Sequence, residues 1–258
     1  MAIDFHSEKN RYTYASREAN TDWAQAILEV ANPRGCRVAD VGCGGGIYSN
    51  AWADLGAASV IGVDFSEQMV IAARENARER RHVSFQQGVA DRTGLASDRF
   101  DIVFERALIH HLQDFDSCFA EAYRLLAPGG KLIIQDRTPE DVQIPGSPEH
   151  IRGYFFELFP RLIDVEIKRR PKDAHVRAAL LRAGFAGIES KSLWETRKTY
   201  AYFEQLAQDL RQRTGRSILH ELNDDEIESL ISHIGSLINQ SQEIVEKDRW
   251  TLWVATKA

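Results

Sequence analysis

Short apolar runs alternate with longer amphipathic segments over the first half of the chain. The apolar runs predict strands at 37–41, 59–63, 82–86, 100–105 and 131–136. Apolar positions at helical spacing predict helices at 47–55, 67–80 and 115–126, after a first helix that carries Trp23, Ile27 and Val30 on one face. Strands that alternate with helices predict an α/β fold in which helices cover both faces of a parallel sheet.

The pattern changes after Asp136, where Pro139, Pro145, Gly146 and Pro148 predict a long connection. The remaining predicted elements are an aromatic helical segment at 150–167, a helix at 173–183, a strand at 188–194, helices near 199–213 and 224–246, and a strand at 250–255. We expect the last strand to run antiparallel at or near one edge of the sheet.

Composition narrows the class of protein. The chain has 258 residues and a formal net charge of -6, which does not suit a binder of duplex nucleic acid. No apolar run approaches the roughly 18 residues that span a bilayer, and the N-terminus lacks a secretory pattern. Cys36, Cys43 and Cys118 show neither a disulfide framework nor metal-ligand spacing. We therefore expect a cytoplasmic protein with no nucleic-acid partner, no membrane span and no metal.

A glycine-rich turn follows the first predicted strand and opens the next helix. Gly42, Gly44 and Gly46 allow sharp turns and close approach of a ligand to backbone amides, although many α/β proteins have such a turn for packing alone. The dinucleotide-binding fingerprint would require a further glycine at position 47, where the chain has Ile47. The spacing therefore disfavours a dinucleotide.

Two acidic residues flank this turn in the predicted sheet. Asp40 lies at the end of the first strand, where a carboxylate can accept from an ammonium group and would repel a pyrophosphate. Asp64 ends the second strand, a position from which a carboxylate can accept from both hydroxyls of a ribose. The pair indicates a cationic amino-acid nucleoside as the ligand.

Five motifs carry a resemblance to a known family. They are Val-Ala-Asp-Val-Gly-Cys-Gly-Gly-Gly at 38–46, Val-Ile-Gly-Val-Asp-Phe-Ser at 60–66, Phe-Asp-Ile-Val-Phe-Glu at 100–105, His-His-Leu at 110–112 and Leu-Leu-Ala-Pro-Gly-Gly at 125–130. Over about 23–136 and the closing strand, the chain resembles the class I, Rossmann-like S-adenosylmethionine-dependent methyltransferases. It resembles in particular the branch of ubiquinone/menaquinone-biosynthesis-type and related small-molecule enzymes.

The resemblance implies both a fold and a cofactor. The implied fold is a three-layer, doubly wound, mostly parallel sheet of seven strands in the order 3-2-1-4-5-7-6, with strand seven antiparallel and with helical lid insertions. The implied cofactor is S-adenosylmethionine. We expect a single domain over 1–258, with its core at about 23–136, 173–195 and 249–256. The lid or substrate insertions then fall at about 1–22, 139–172 and 197–247, and the last of these is alternatively a homodimer contact.

The resemblance also implies roles for individual residues. The loop at 40–44 would face the methionine part, Asp64 the ribose, and Phe65 and Met69 the adenine. Val89 departs from the pattern, because the family often has an acid there that accepts from the adenine amino group. The implied cofactor-binding residues are Tyr14, Arg17, Asp40, Gly42, Cys43, Gly44, Asp64, Phe65, Met69, Ala90, Asp91, Glu105 and Arg106. For Arg17 a solvated helix charge is an equal alternative.

The sequence also offers candidates for the chemistry. Methyl transfer needs a base only when the nucleophile must lose a proton, and His110 follows the fourth strand with a reference pKa near neutrality. The alternative is that His110 and His111 simply bond to backbone. Asp136 and Arg137 end the fifth strand, either to touch substrate or to form an ion pair.

We therefore expect a methyltransferase that acts on a small-molecule acceptor by in-line transfer. One alternative is a non-catalytic, S-adenosylmethionine-binding regulatory protein, and another is a protein or RNA methyltransferase. DNA amino-methylating enzymes typically carry an Asn/Asp-Pro-Pro-aromatic motif after strand four, where this chain has Glu105-Arg-Ala-Leu.

Overall fold

The computed structural model describes residues 19–258, which form one seven-stranded sheet in the order β3-β2-β1-β4-β5-β7-β6. The strands are β1 (Arg37–Val41), β2 (Ser59–Asp64), β3 (Val83–Gln87), β4 (Phe100–Arg106), β5 (Leu126–Asp136), β6 (Phe185–Tyr200) and β7 (Ile244–Lys257). Strands β1 to β5 pair in parallel, and β7 runs antiparallel to β5. The fold class and strand order expected from the resemblance are confirmed.

Ten α-helices accompany the strands within the described residues. They are α1 (Thr21–Val30), α2 (Ile47–Asp54), α3 (Glu67–Asn76), α4 (Phe115–Leu125), α5 (Pro139–Val142), α6 (Ile151–Leu158), α7 (Arg161–Arg169), α8 (Asp173–Arg182), α9 (Phe203–Arg211) and α10 (Asp224–Leu237). Two apolar clusters cover the sheet. One includes Phe119 and Leu180 of α4 and α8, and the other includes Trp23 and Trp52 of α1 and α2. Burial on both faces explains why the central strands are continuous apolar runs.

Helix ends differ from the sequence prediction at three places. The segment at 150–167 is two helices, because Pro160 lacks a backbone N–H and Phe159 before it is not helical. Helix α3 ends at Asn76 rather than Arg80, before a run of charged residues. Strand β6 continues to Tyr200, so α9 begins at Phe203 rather than 199.

The closing strand is longer than predicted. Strand β7 starts at Ile244, so the predicted helix at 224–246 was wrong at its end and α10 stops at Leu237. Glu246 and Asp248 occupy inward, buried positions of β7, where the prediction expects apolar residues. Because charged residues occupy these inward positions, the alternation of apolar and polar residues that indicates a strand is missing from this part of the sequence.

The chain divides into two compact units. The sheet unit contains the described residues of 19–136, 171–193 and 251–258, and the helical unit contains 137–170 and 194–250. The helical unit has its own apolar cluster, built by α6, α7, α9 and α10 around residues such as Phe155, Leu206 and Ile234. The division into core and lid insertions stays a prediction. Across residues 19–258, no helix is both long and apolar enough to span a bilayer.

Candidate cofactor and active site

The glycine turn joins β1 to α2 with three left-handed residues. Gly42, Gly44 and Gly46 have φ of 76°, 51° and 79°, a region that side chains rarely adopt. A Cβ at Gly42 would lie 3.0 Å from Leu108 Cδ1, and one at Gly46 would lie 2.8 Å from Phe85 Cζ. A Cβ at Gly44 would meet no atom of residues 19–258 within 4 Å. Gly44 is therefore the glycine whose open side is left for a ligand.

Asp40 lies buried at the end of β1 beside this turn. The Ser49 hydroxyl at the start of α2 donates to Asp40 Oδ2 over 2.6 Å. Burial raises the pKa of Asp40 to about 7, against the lowering effect of the Ser49 hydrogen bond, and nearby Asp64 adds to the rise. A cationic group brought to this carboxyl would restore its charge.

Asp64 at the end of β2 is tied to the same turn. Its Oδ2 accepts from the backbone N–H of Gly44 over 2.8 Å, and its Oδ1 accepts from Ser66 N–H over 2.9 Å. These bonds orient the Asp64 carboxyl group beside the turn. The two acidic residues predicted from the sequence are thus brought to one glycine turn.

Apolar side chains lie exposed at the carboxyl ends of β2 and β3. Phe65 is 45% exposed and Val89 is 41% exposed, although both are large and apolar. The strands are neighbours, with Asp64 opposite Gln87. Met69 is buried one turn into α3, Ala90 packs against the sheet core, and Asp91 is exposed. This edge suits a flat apolar ring, with Val89 as a packing residue.

The end of β4 holds two charged residues in different surroundings. The Glu105 carboxyl is buried in the sheet core, where the Cys118 thiol donates to Oε1 over 3.4 Å and Oε2 has no partner among residues 19–258. Burial raises the pKa of Glu105 to about 7. The Arg106 guanidinium lies 4.1 Å from the centre of the Tyr48 ring. Both residues follow the strand-end placement that the sequence predicted.

A strained turn carries the chain from β4 to a short 3-10 helix, Ile109–His111. Ala107 has a φ of 51°, and its N–H donates to Gln135 O over 2.8 Å. This turn brings His110 to the end of β5, where its Nδ1 lies 2.9 Å from both carboxylate oxygens of Asp136. A carboxylate only accepts, so Nδ1 carries the proton and a neutral ring leaves Nε2 as the basic nitrogen.

Some predicted site residues have other surroundings. The Cys43 side chain packs in the sheet core, so only its backbone belongs to the loop surface. Asp136 bonds to His110, whereas the Arg137 guanidinium donates to Asp248 Oδ2 over 2.6 Å. Tyr14 and Arg17 lie outside the described residues.

Sequence reasoning missed Ser49 as a supporting residue, and it named Asp136 without identifying His110 as its partner. Ser49 holds Asp40, and Asp136 holds His110. The signal for Ser49 is its place in the first turns of the helix after the glycine loop. The signal for Asp136 is the parallel pairing of β4 with β5, which puts the ends of both strands at one edge.

The residues at this edge of the sheet fit the chemical groups of S-adenosylmethionine, the implied cofactor. Two buried carboxyls flank an open glycine turn, and exposed apolar side chains lie at the neighbouring strand ends. The two carboxyls can accept hydrogen bonds from an ammonium group and from ribose hydroxyls, and the apolar side chains can pack against an adenine ring. Among residues 19–258, no cluster of acidic, histidine or cysteine residues forms a metal site.

Comparison with known proteins gives a consistent picture. A family model described as a methyltransferase domain matches residues 39–134. Phosphoethanolamine N-methyltransferase 1 of Triticum aestivum is 26% identical over 231 residues, which are 86% of this chain and 42% of that protein. A ubiquinone biosynthesis O-methyltransferase of Xanthomonas oryzae pv. oryzae is 35% identical over 130 residues, 49% of this chain and 53% of that protein. The chain spans about half the length of these relatives.

Solved structures share the fold. Phosphoethanolamine N-methyltransferase 2 of Haemonchus contortus, in complex with S-adenosyl-L-methionine, has a TM-score of 0.63 at 21% identity over 99% of this chain and 60% of that one. An S-adenosylmethionine-dependent methyltransferase of Mesorhizobium loti has a TM-score of 0.54 at 21% identity over 92% of this chain and 98% of that one.

Proposed function

We propose, on the premise that this chain carries a class I S-adenosylmethionine-dependent methyltransferase domain, that it transfers a methyl group from that cofactor to a small-molecule acceptor. The observation that carries the proposal is the pair of buried carboxyls, Asp40 and Asp64, on either side of the open turn at Gly44. The domain match and the fold of the solved relatives support it.

Different residues of the chain would bind different parts of the cofactor. Asp40 would accept from the ammonium group and Asp64 from the ribose hydroxyls, while Phe65 and Val89 would cover the adenine. The bound cofactor supplies an activated methyl group on a sulfonium centre. Because that donor is already activated, the protein needs chiefly to orient the acceptor and to exclude water.

A proton-bearing acceptor also needs a base, and we assign that role to His110. Asp136 fixes the ring so that Nε2 is free to take a proton from the acceptor. The small-molecule class is supported by the names of the relatives, which refer to phosphoethanolamine and to ubiquinone biosynthesis.

Substitution of Asp64 tests the cofactor assignment. Asp64→Ala removes the acceptor of two hydrogen bonds from the ribose hydroxyls. The loss of binding free energy should be on the order of 2–4 kcal/mol, which corresponds to a loss of affinity of roughly 30- to 1,000-fold. The measurement is calorimetric titration with S-adenosylmethionine. Asp54→Ala is the control, because Asp54 is exposed on α2 and pairs with Arg80.

Two results would count against the proposal. Unchanged affinity in a folded Asp64→Ala variant would remove the cofactor assignment. Cofactor binding without release of S-adenosylhomocysteine, across a panel of small amines, phenols and carboxylic acids, would instead leave a binding protein.

A further inference from the structure

The turn after β4 lies directly against the glycine turn after β1. A Cβ at Gly42 would lie 3.0 Å from Leu108 Cδ1, 3.3 Å from Leu108 Cδ2 and 3.4 Å from Leu108 Cβ. The Leu108 side chain therefore occupies the space that any side chain at position 42 would need. Because Gly42 has no side chain, Leu108 packs against the backbone of the glycine turn itself.

Hydrogen bonds fix the backbone on the glycine side of this contact. The N–H of Gly42 donates to Val63 O over 2.7 Å. Two residues later, the N–H of Gly44 donates to Asp64 Oδ2 over 2.8 Å. Leu108 therefore packs on a stretch of backbone that is bonded to the end of β2, the same strand end at which Asp64 would accept from the ribose of the cofactor.

The backbone of Leu108 begins the short 3-10 helix that carries His110. Its carbonyl oxygen accepts from the N–H of His111 over 2.9 Å, at the start of that helix. The residue before it is the left-handed Ala107, and the residue after it is the fully buried Ile109. Leu108 thus belongs to the turn that carries the assigned base and, through its side chain, contacts the turn assigned to the cofactor.

Contacts other than those of the Leu108 side chain hold this turn on β5. The N–H of Ala107 donates to Gln135 O over 2.8 Å. The N–H of His110 donates to Asp136 Oδ2 over 3.2 Å. The Leu108 side chain itself is only partly buried, at the border of the apolar cluster on that face of the sheet. Its packing on the glycine turn is therefore distinct from the contacts that anchor the turn.

We propose that Leu108 is a positioning residue, through which a ligand on the glycine turn restricts the position of the His110 imidazole. The inference rests on the proposed function, because it takes the glycine turn as the cofactor site and His110 as the base. A ligand that binds to a turn reduces the motion of that turn, and a side chain packed on the same backbone is then restricted as well. The base is thereby placed when the methyl donor is bound.

NMR spectroscopy of the full chain, with nitrogen-15-labelled histidine, tests this coupling. S-adenosylhomocysteine is titrated as a non-reactive ligand, and the Nε2 signal of His110 is assigned by its loss in His110→Ala. We expect saturating ligand to shift this signal in the wild-type chain. In Leu108→Ala the shift should fall to roughly half or less, whereas the affinity for S-adenosylhomocysteine, measured by calorimetry, should change less than about threefold.

Turnover gives a second measurement. Leu108→Ala should lower kcat roughly 10- to 100-fold while the KM for S-adenosylmethionine stays nearly constant, because a misplaced base slows the chemical step and leaves cofactor binding intact. Leu108→Met, which keeps a side chain of similar volume, should restore both the turnover and the shift of the His110 signal.

Leu112→Ala is the matched control, because Leu112 is a partly buried leucine at the other end of the same 3-10 helix. It should keep the ligand-induced shift. An unchanged shift in folded Leu108→Ala, an equal loss in Leu112→Ala, or a wild-type chain that binds S-adenosylhomocysteine without any change at His110 would overturn the positioning role. A wild-type chain that gives no binding heat with the ligand would contradict the proposed function as well.

Discussion

At the scale of single residues, burial sets the charge state of the candidate site. Asp40 and Glu105 end adjacent parallel strands, and burial raises the pKa of each to about 7. Asp40 bonds to a hydroxyl, whereas Glu105 bonds only to a thiol among the described residues. A cationic ligand would thus change the protonation of Asp40 when it binds.

The affinity for S-adenosylmethionine should therefore rise with pH up to about 7. Below that pH the free protein holds a proton on Asp40, and the cofactor's ammonium group must displace it, so binding weakens by up to about tenfold per unit. Titrations between pH 5.5 and 7.0 avoid deprotonating the ligand's own amine. Asp40→Asn should bind more weakly with no such slope, and a wild-type affinity independent of pH would contradict the prediction.

His110→Ala should lower kcat by roughly 100- to 10,000-fold while the affinity for S-adenosylmethionine stays unchanged, because the base acts only in the chemical step. Single-turnover transfer to an acceptor that the wild-type chain methylates is the measurement. His82→Ala, an exposed histidine before β3, is the control. Normal turnover in His110→Ala would remove the base from the mechanism.

At the scale of elements, tight turns place the functional groups. The glycine turn after β1 and the left-handed Ala107 after β4 both lie where parallel strands end. The sequence predicted the first of these turns, since glycine marks positions with positive φ. It did not predict the second, because alanine gives no such signal and the hydrogen bond of Ala107 to Gln135 is a contact between strands.

Gly44→Ala should abolish most cofactor binding, whereas Gly129→Ala should not. Both glycines are left-handed, with φ of 51° and 77°, and no atom of the described residues lies within 4 Å of either Cβ position. Each alanine should therefore cost about 1–2 kcal/mol of stability. Only Gly44 faces the proposed ligand, so its variant should lose affinity at least tenfold in titration. Equal affinities in the two variants would contradict this assignment.

At the scale of the whole molecule, the described part of the chain, residues 19–258, crosses four times between two compact units. Both the sheet unit and the helical unit have apolar cores, and the helical unit adds a buried ionic network around Arg216, Asp209 and Glu246. Removing one partner of a buried ion pair lowers the free energy of unfolding far more than removing one partner of an exposed pair, because the remaining charge is left buried without a partner.

Arg216→Met should lower the free energy of unfolding by about 3–5 kcal/mol, because it leaves Asp209 and Glu246 short of a positive charge. Arg211→Met removes an exposed arginine that pairs with Glu204 and Glu228, and it should cost less than about 1 kcal/mol. Urea unfolding at neutral pH measures both. Equal losses for the two variants would show that the network adds no stability of its own.

The sequence by itself determined the sheet and the placement of the candidate site. Apolar runs predicted the strands that are buried on both faces. The positions of Asp40, Gly44 and Asp64 at strand ends and in the turn after β1 were also predictable, because local backbone and strand-end position fix them. Only the tertiary structure decided which side chains form hydrogen bonds with these candidate site residues. The bonds of His110 to Asp136, Ser49 to Asp40 and Arg137 to Asp248 join residues from different elements. Glu246 and Asp248 likewise occupy inward positions of a strand, where arginines distant in sequence pair with them. A local sequence pattern does not contain this pairing.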